Sequence, residues 1–235
     1  MPKGVHVFVA AFLLLSARAI GQPLEGSRAQ CADESVTDDV VIRACTAVIQ
    51  SGREDAKGLT RAYRNLCLAQ NNKGNHDQAI EDCTQAIRLD PADIDTILFR
   101  AHAFFNKSDF DGAVEDYSRA IALGANGAQA SSDAYVGRAA AWHRKGNEQR
   151  AIADIDQAVA LNPKDATAFF IRGVAYQGTG NDDRAVKDYD EAIRLAPNFA
   201  LSLYRRGMLR TKMGDAEGGT EDIARARKIN PTIGK

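Results

Sequence analysis

A 34-residue beat runs through most of this 235-residue chain, and no single residue constrains the fold as tightly. Ala79, Ala113, Ala151, Ala185 and Gly219 occupy one slot, separated by steps of 34, 38, 34 and 34. Seven residues further on stand Ala86, Ala120, Ala158, Ala192 and Ala226, and another slot holds Asp82, Asp116, Asp154, Asp188 and Asp222. Pro91, Pro163, Pro197 and Pro231 close four of the five units, with Ala125 in the remaining one. Small, aromatic and proline slots at this period mark stacked helix–turn–helix units. The fold class is therefore all-α, an α-solenoid of antiparallel helix pairs, and such stacks are usually surfaces for other proteins.

Within a unit the apolar spacing is helical. Phe169, Arg172, Gly173 and Tyr176 fall at i, i+3, i+4 and i+7, on one face. Gly180-Asn181-Asp182 breaks that pattern and offers an N-cap, and a second helix runs from about Asp183 to Leu195. Pro197 ends it, because proline cannot continue the hydrogen-bond ladder. Ala or Gly in the close-approach slots lets the two helices of a pair come near each other. Asp82 and its repeats, with Arg100, Arg138, Arg172 and Arg206, read as a structural ladder, since they recur once per unit as packing does.

Phe169, Arg172-Gly173, Tyr176, Ala185, Tyr189, Ala192 and Pro197 together resemble the pattern of the tetratricopeptide repeat (TPR) family. Tyr135, Arg138-Ala139, Trp142, Ala151, Ile155, Ala158 and Pro163 follow it one unit earlier. The first unit departs with Leu66-Cys67, Gln70 and Cys83, and the last with Arg210, Gly219 and Ile223. The resemblance gives five units, 60–93, 94–127, 132–165, 166–199 and 200–233, behind a degenerate repeat or cap over 20–58. Arg43 to Ile49 echoes Glu81 to Ile87, which predicts one clear helix in that cap, about 37–51. The family's concave face is lined by the first helix of each unit. Carried onto this chain, its lining slots hold Arg61, Arg64, Leu68, Leu98, His102, Phe105, Val136, His143, Phe170, Val174, Tyr204 and Met208. Phe105, Phe170 and Tyr204 are the expected anchors for a bound polypeptide, because aromatic side chains in desolvated grooves dominate interface energetics.

The N-terminus bears on the compartment. Lys3, the apolar run Val7 to Leu15 and Ala17-Arg18-Ala19 read as a signal peptide over 1–19, cut after Ala19 or after Gly21. The run is shorter than the ~20 residues a membrane span needs. The expected product is secreted, periplasmic in a Gram-negative source, with no membrane insertion after cleavage. All four cysteines lie at 31, 45, 67 and 83, and an even, clustered set in an exported chain argues for disulfides. Cys31–Cys45 would tie the irregular leading segment to its helix. Cys67 and Cys83 face each other in one pair, where a second bridge or two buried thiols would both fit. Exported bacterial TPR proteins, which this chain resembles, often carry an early cysteine pair.

Little else suggests chemistry. There is no P-loop, G-x-S-x-G, H-E-x-x-H or C-x-x-C, so no catalytic residue, cofactor or metal is expected. Loss of Lys3 and Arg18 with the leader moves the net charge from −1 to −3, which gives no footprint for nucleic acid. The expected function is a non-enzymatic scaffold of the cell envelope that binds a peptide or helix of another protein. Self-association into a homo-oligomer is the alternative, motivated by the flank of the last unit.

Overall fold

The computed structural model describes residues 24–124 and 128–235. The leader read over residues 1–19 lies outside the described residues, as does part of the Gly124–Ser132 connection. Among the described residues the secondary structure is entirely helical: α1 (Leu24–Cys31), α2 (Asp38–Gln50), α3 (Ala56–Asn72), α4 (His76–Leu89), α5 (Ile94–Asn106), α6 (Phe110–Ala122), α7 (Ala128–Arg144), α8 (Glu148–Leu161), α9 (Ala166–Gly178), α10 (Asp182–Leu195), α11 (Ala200–Lys212) and α12 (Ala216–Ile229). Each helix packs on the next, and α1 with α3, α3 with α5, α5 with α7 and α7 with α9 also touch. The first helices of successive pairs thus line the inner side of the curve. The cap holds more than the single helix expected: α1 precedes α2, so a sixth pair heads the array.

The turn inside a pair is written by local chemistry. Gly74, Gly146, Gly180 and Gly214 adopt positive φ, between 73° and 98°, just past the first helix of four pairs. The amide following each reaches back to a carbonyl five residues earlier, as Asn181 does to Tyr176 at 2.8 Å, which satisfies the helix end. Asp109, Asn147 and Asp215 then cap the second helix through their side chains. In the α5–α6 turn the left-handed position is filled by Ser108, at φ 68°.

The core repeats as a small residue against a large one. Gly173 lies so close to Tyr189 that a Cβ there would sit 2.7 Å from the ring. Gly207 and Gly219 bring α11 and α12 together backbone to backbone, with a Cβ on Gly207 only 2.7 Å from the Gly219 carbonyl. Ala79, Ala113, Ala151 and Ala185 are fully buried in the corresponding slot.

Two kinds of staple hold the pairs. Arg100 grips Asp116 with two hydrogen bonds (2.7 and 2.8 Å), and Arg138–Asp154, Arg172–Asp188 and Arg206–Asp222 repeat the bidentate geometry. The third arm of each arginine reaches the preceding pair, donating to Thr84 (3.0 Å), Ser118 (2.9 Å), Asp156 (2.8 Å) and Asp190 (2.6 Å) in turn. The ladder expected from the sequence thus runs through the stack and fixes both the pair and its neighbour. The second pair breaks it, because Leu66 stands where the others have arginine. Asp82 is 5 % exposed, receives only a 3.4 Å contact from Gln78, and one carboxyl oxygen has no partner. Burial, aided by the charge of Glu81, pushes its pKa up to about 6.

The first two pairs carry disulfides instead. Cys31 is bonded to Cys45 (Cα–Cα 4.8 Å) and Cys67 to Cys83 (5.3 Å), each joining the first helix of its pair to the second. The eight-residue α1 is far below the ~12–15 residues at which an isolated helix becomes even marginal. It is held by its disulfide, by Asn65 donating to the Cys31 carbonyl at 2.8 Å, and by Arg28 to Glu54 at 2.6 Å.

Candidate partner-binding groove

Each first helix turns one face toward the core and the opposite edge toward the inside of the curve. At the N-terminal end, α3 presents Arg61, which is exposed, and Arg64, which is half-buried. Arg64 lies 3.6 Å from Asp93 and 4.0 Å from Asp95. With Lys57 and Asp90 they surround a cleft of about 510 Å³ between α3 and the turn into α5. Leu68, one turn further along α3, is 38 % exposed.

Leu98 does not share this position. It is only 9 % exposed and packs with Ile87, Ile94 and Ile97, so the expectation that it lines the groove is corrected. His102, a turn later, does reach the inner face, with its ring edge against Tyr117 at 5.6 Å. The walls of the curve crowd this imidazole without covering it. That desolvation holds its pKa below the ordinary histidine value, against the pull of Asp133. His102, Asp133, Val136, Gly137 and Lys164 enclose a second cleft, again of about 510 Å³, between α5, α7 and the α8–α9 turn.

The three expected aromatic anchors are all half-buried and engaged with the protein itself. Phe105 stands edge-on to Phe110 (5.6 Å) with the Arg144 guanidinium 6.0 Å from its ring. Phe170 sits between Tyr189 (6.0 Å) and Phe199 (5.1 Å), bridging one unit to the next, and Val174 packs in the same cluster. Tyr204 lies against the cluster of Ile193, Leu203 and Ile233 and meets Gly234 near the C-terminus. His143 is turned aside to Glu148, 2.9 Å from both carboxyl oxygens, which locks the α7–α8 turn. Open apolar surface is offered instead by Leu201 (47 % exposed) and Met208 (49 %), two turns apart on α11.

Sequence reasoning passed over Lys57, Asp90 and Lys164, which help form the clefts. Two of these lie in the turns between pairs, and their proline-containing context (Asp90-Pro91, Pro163-Lys164) was the available signal that those turns overhang the inner face. Among the described residues no group of three or more His, Cys, Asp or Glu is placed to hold a metal ion. No described helix is long and apolar enough to cross a membrane.

Family models described as tetratricopeptide repeat match residues 60–93 and, in a second form, 100–165 and 149–200. Comparison with curated proteins gives no match. Among solved structures, the chain is similar to MamA, at 22 % identity over 74 % of this chain and 92 % of that one, with a TM-score of 0.60. It is also similar to YrrB, described as a TPR protein with an unusual peptide-binding site (20 %, 82 % and 95 %, TM-score 0.59). A tetratricopeptide repeat protein from Parabacteroides merdae ATCC 43184 gives 18 % identity, 81 % and 73 % coverage and a TM-score of 0.69. At these identities the likeness is one of fold.

Proposed function

Because the chain belongs to the tetratricopeptide repeat family, we propose that it is a non-catalytic interaction scaffold of the cell envelope, holding a polypeptide segment along the inner face of its curve. One observation carries this reading. The inner face runs from a charged cleft around Arg61 to solvent-exposed Leu201 and Met208, whereas the charges that recur in every later unit are consumed by the Arg–Asp ladder. Exposed apolar side chains on the rim of a folded groove are candidates for burial by a partner. A segment laid across several units would meet a different lining at each step, so affinity should depend on several pairs together. The name given to YrrB, with its peptide-binding site, supports the same class of ligand. Export rests on the leader, the cysteine placement and the two disulfides, which suit an oxidising compartment.

Because Phe105, Phe170 and Tyr204 are part of the packing, the test belongs on the exposed residues. Leu201→Ser with Met208→Ser should leave the helical circular dichroism unchanged. It should also remove a protein that the parent chain recovers from envelope extract by affinity capture and mass spectrometry. Equal recovery by parent and variant would move the search to the outer face. Self-association is less well supported. Val186 and Ile193 face α11 from α10, but the same slots on α12 hold Thr220 and Arg227. A polar end face suits solvent better than a second copy, and light scattering should therefore find a monomer.

A further inference from the structure

The six helix pairs among the described residues divide by the chemistry that closes them. The first two are joined by disulfides, the last four by bidentate Arg–Asp bridges, and among the described residues no pair has both. The division is sharpest in the second pair. Leu66 and Asp82 keep the 16-residue spacing of Arg100 and Asp116, but leucine cannot bind the carboxylate. One residue further on, Cys67 and Cys83 occupy the slots that hold Ala101 and Tyr117 in the third pair and Gly173 and Tyr189 in the fifth.

We propose that α1–α4 close onto the array only when Cys31–Cys45 and Cys67–Cys83 are oxidised, so that the charged end of the inner face is assembled in the disulfide form alone. With the second bond removed, this pair has no ring to fill the space beside Cys67 and no cation for Asp82. The buried carboxyl with its unpaired oxygen then favours opening. The first pair has Ala44 in the aspartate slot and an eight-residue α1, so without its bond the two helices lack a staple between them and α1 keeps its contacts with Asn65 and Glu54. The pairs from α5 to α12 keep all four arginine staples. In a repeat array each pair is supported by its neighbours only, so the loosening stays local.

Each closure converts two thiols to one S–S bond, releasing two protons and two electrons. The electrons pass by thiol–disulfide exchange to a disulfide-bearing oxidant, which leaves as its dithiol. The four cysteines are between 0 % and 5 % exposed, so this chemistry acts as the chain folds rather than on the finished surface. Lys57, Arg61 and Arg64 all lie on α3, inside the dependent segment. Loss of partner binding on reduction would rest on the groove reading above; the conformational claim does not.

The test compares hydrogen exchange of the full oxidised chain with the same chain unfolded, reduced with a phosphine and refolded in reductant, its four thiols verified by alkylation and mass. Exchange should rise by about ten-fold or more over residues 24–89 and stay nearly unchanged in α5–α12. Leu66→Arg with Cys67→Ala and Cys83→Tyr copies the third pair's staple into the second, and in reductant it should restore protection to α3 and α4. The proposal is overturned by a reduced parent that is as protected as the oxidised one over 56–89, or by loosening spread evenly through α12. It is equally overturned by a triple variant that keeps α5–α12 folded in reductant while α3 and α4 exchange as in the reduced parent.

Discussion

Replacing Asp82 by asparagine should make the protein more stable at neutral pH, the reverse of what the same change does in every later pair. The Asp82 carboxyl is buried beside Leu66 with no cation, and its pKa is raised from 3.8 to about 6. A carboxyl with a raised folded value binds its proton more tightly in the folded chain. Below about pH 3.8 both states hold the proton and nothing is lost; as pH climbs toward 6 stability falls, and above 6 the whole cost is present. At about 1.4 kcal/mol per pH unit that cost is on the order of 3 kcal/mol. Asparagine carries no charge, but its amide N–H has no acceptor, a loss of about 1 kcal/mol. The net gain at pH 7 is then about 2 kcal/mol, vanishing or slightly reversing at pH 4. Urea unfolding of parent and variant, followed by circular dichroism between pH 4 and pH 8, reads this directly. Asp188→Asn serves as the control. It strips the bidentate partner from Arg172, whose pKa the Asp188 hydrogen bond raises, and should cost about 3 kcal/mol at pH 7. A destabilised Asp82→Asn at pH 7, or a difference that does not change with pH, would refute the reasoning.

Other expectations follow from close contacts and turn geometry. Ser108→Gly should stabilise by about 1 kcal/mol, because Ser108 stands at φ 68° where the other turns use glycine; a lower melting temperature would contradict it. Gly207→Ala should destabilise by about 1–3 kcal/mol despite alanine's better helix propensity, since the new methyl meets the Gly219 carbonyl and no flexible side chain can yield. Unchanged urea midpoints for that variant would mean α11 and α12 can separate freely. Leu201→Ser with Met208→Ser should abolish partner capture without loss of helix, as set out above, and reduction should loosen α1–α4 selectively.

Much of the molecule could be read from its period. Helix pairs, their turns and the arginine partners of Asp116, Asp154, Asp188 and Asp222 all follow from residues that recur at fixed spacing, because local chemistry makes the same pair each time. The departure at Leu66 was equally visible, but its consequence was not: that Asp82 is left without a cation depends on what surrounds it in space. The helix α1 escaped notice because eight mostly polar residues carry no apolar stripe, and contacts from α2 and α3 form it.

The groove divides the same way. The family's lining slots implied that Leu68 and Leu98 both face the inner side, Leu68 in the slot of His102 and Met208, Leu98 in that of Arg64 and Tyr204. The structure leaves Leu68 38 % exposed and buries Leu98 to 9 %, where Leu98 packs with Ile87, Ile94 and Ile97. Phe170 and Tyr204 were drawn into contacts with Phe199 and the C-terminal turn, which lie outside their own helices. Whether Cys67 and Cys83 meet as a bond or as two thiols was likewise a matter of distance; in the structure their sulfurs are joined, with the Cα atoms 5.3 Å apart. A repeating sequence dictates the unit, because the interactions that make a unit are short in sequence. The surface a partner would meet comes from how units stack, and those contacts join residues that the period alone does not bring together.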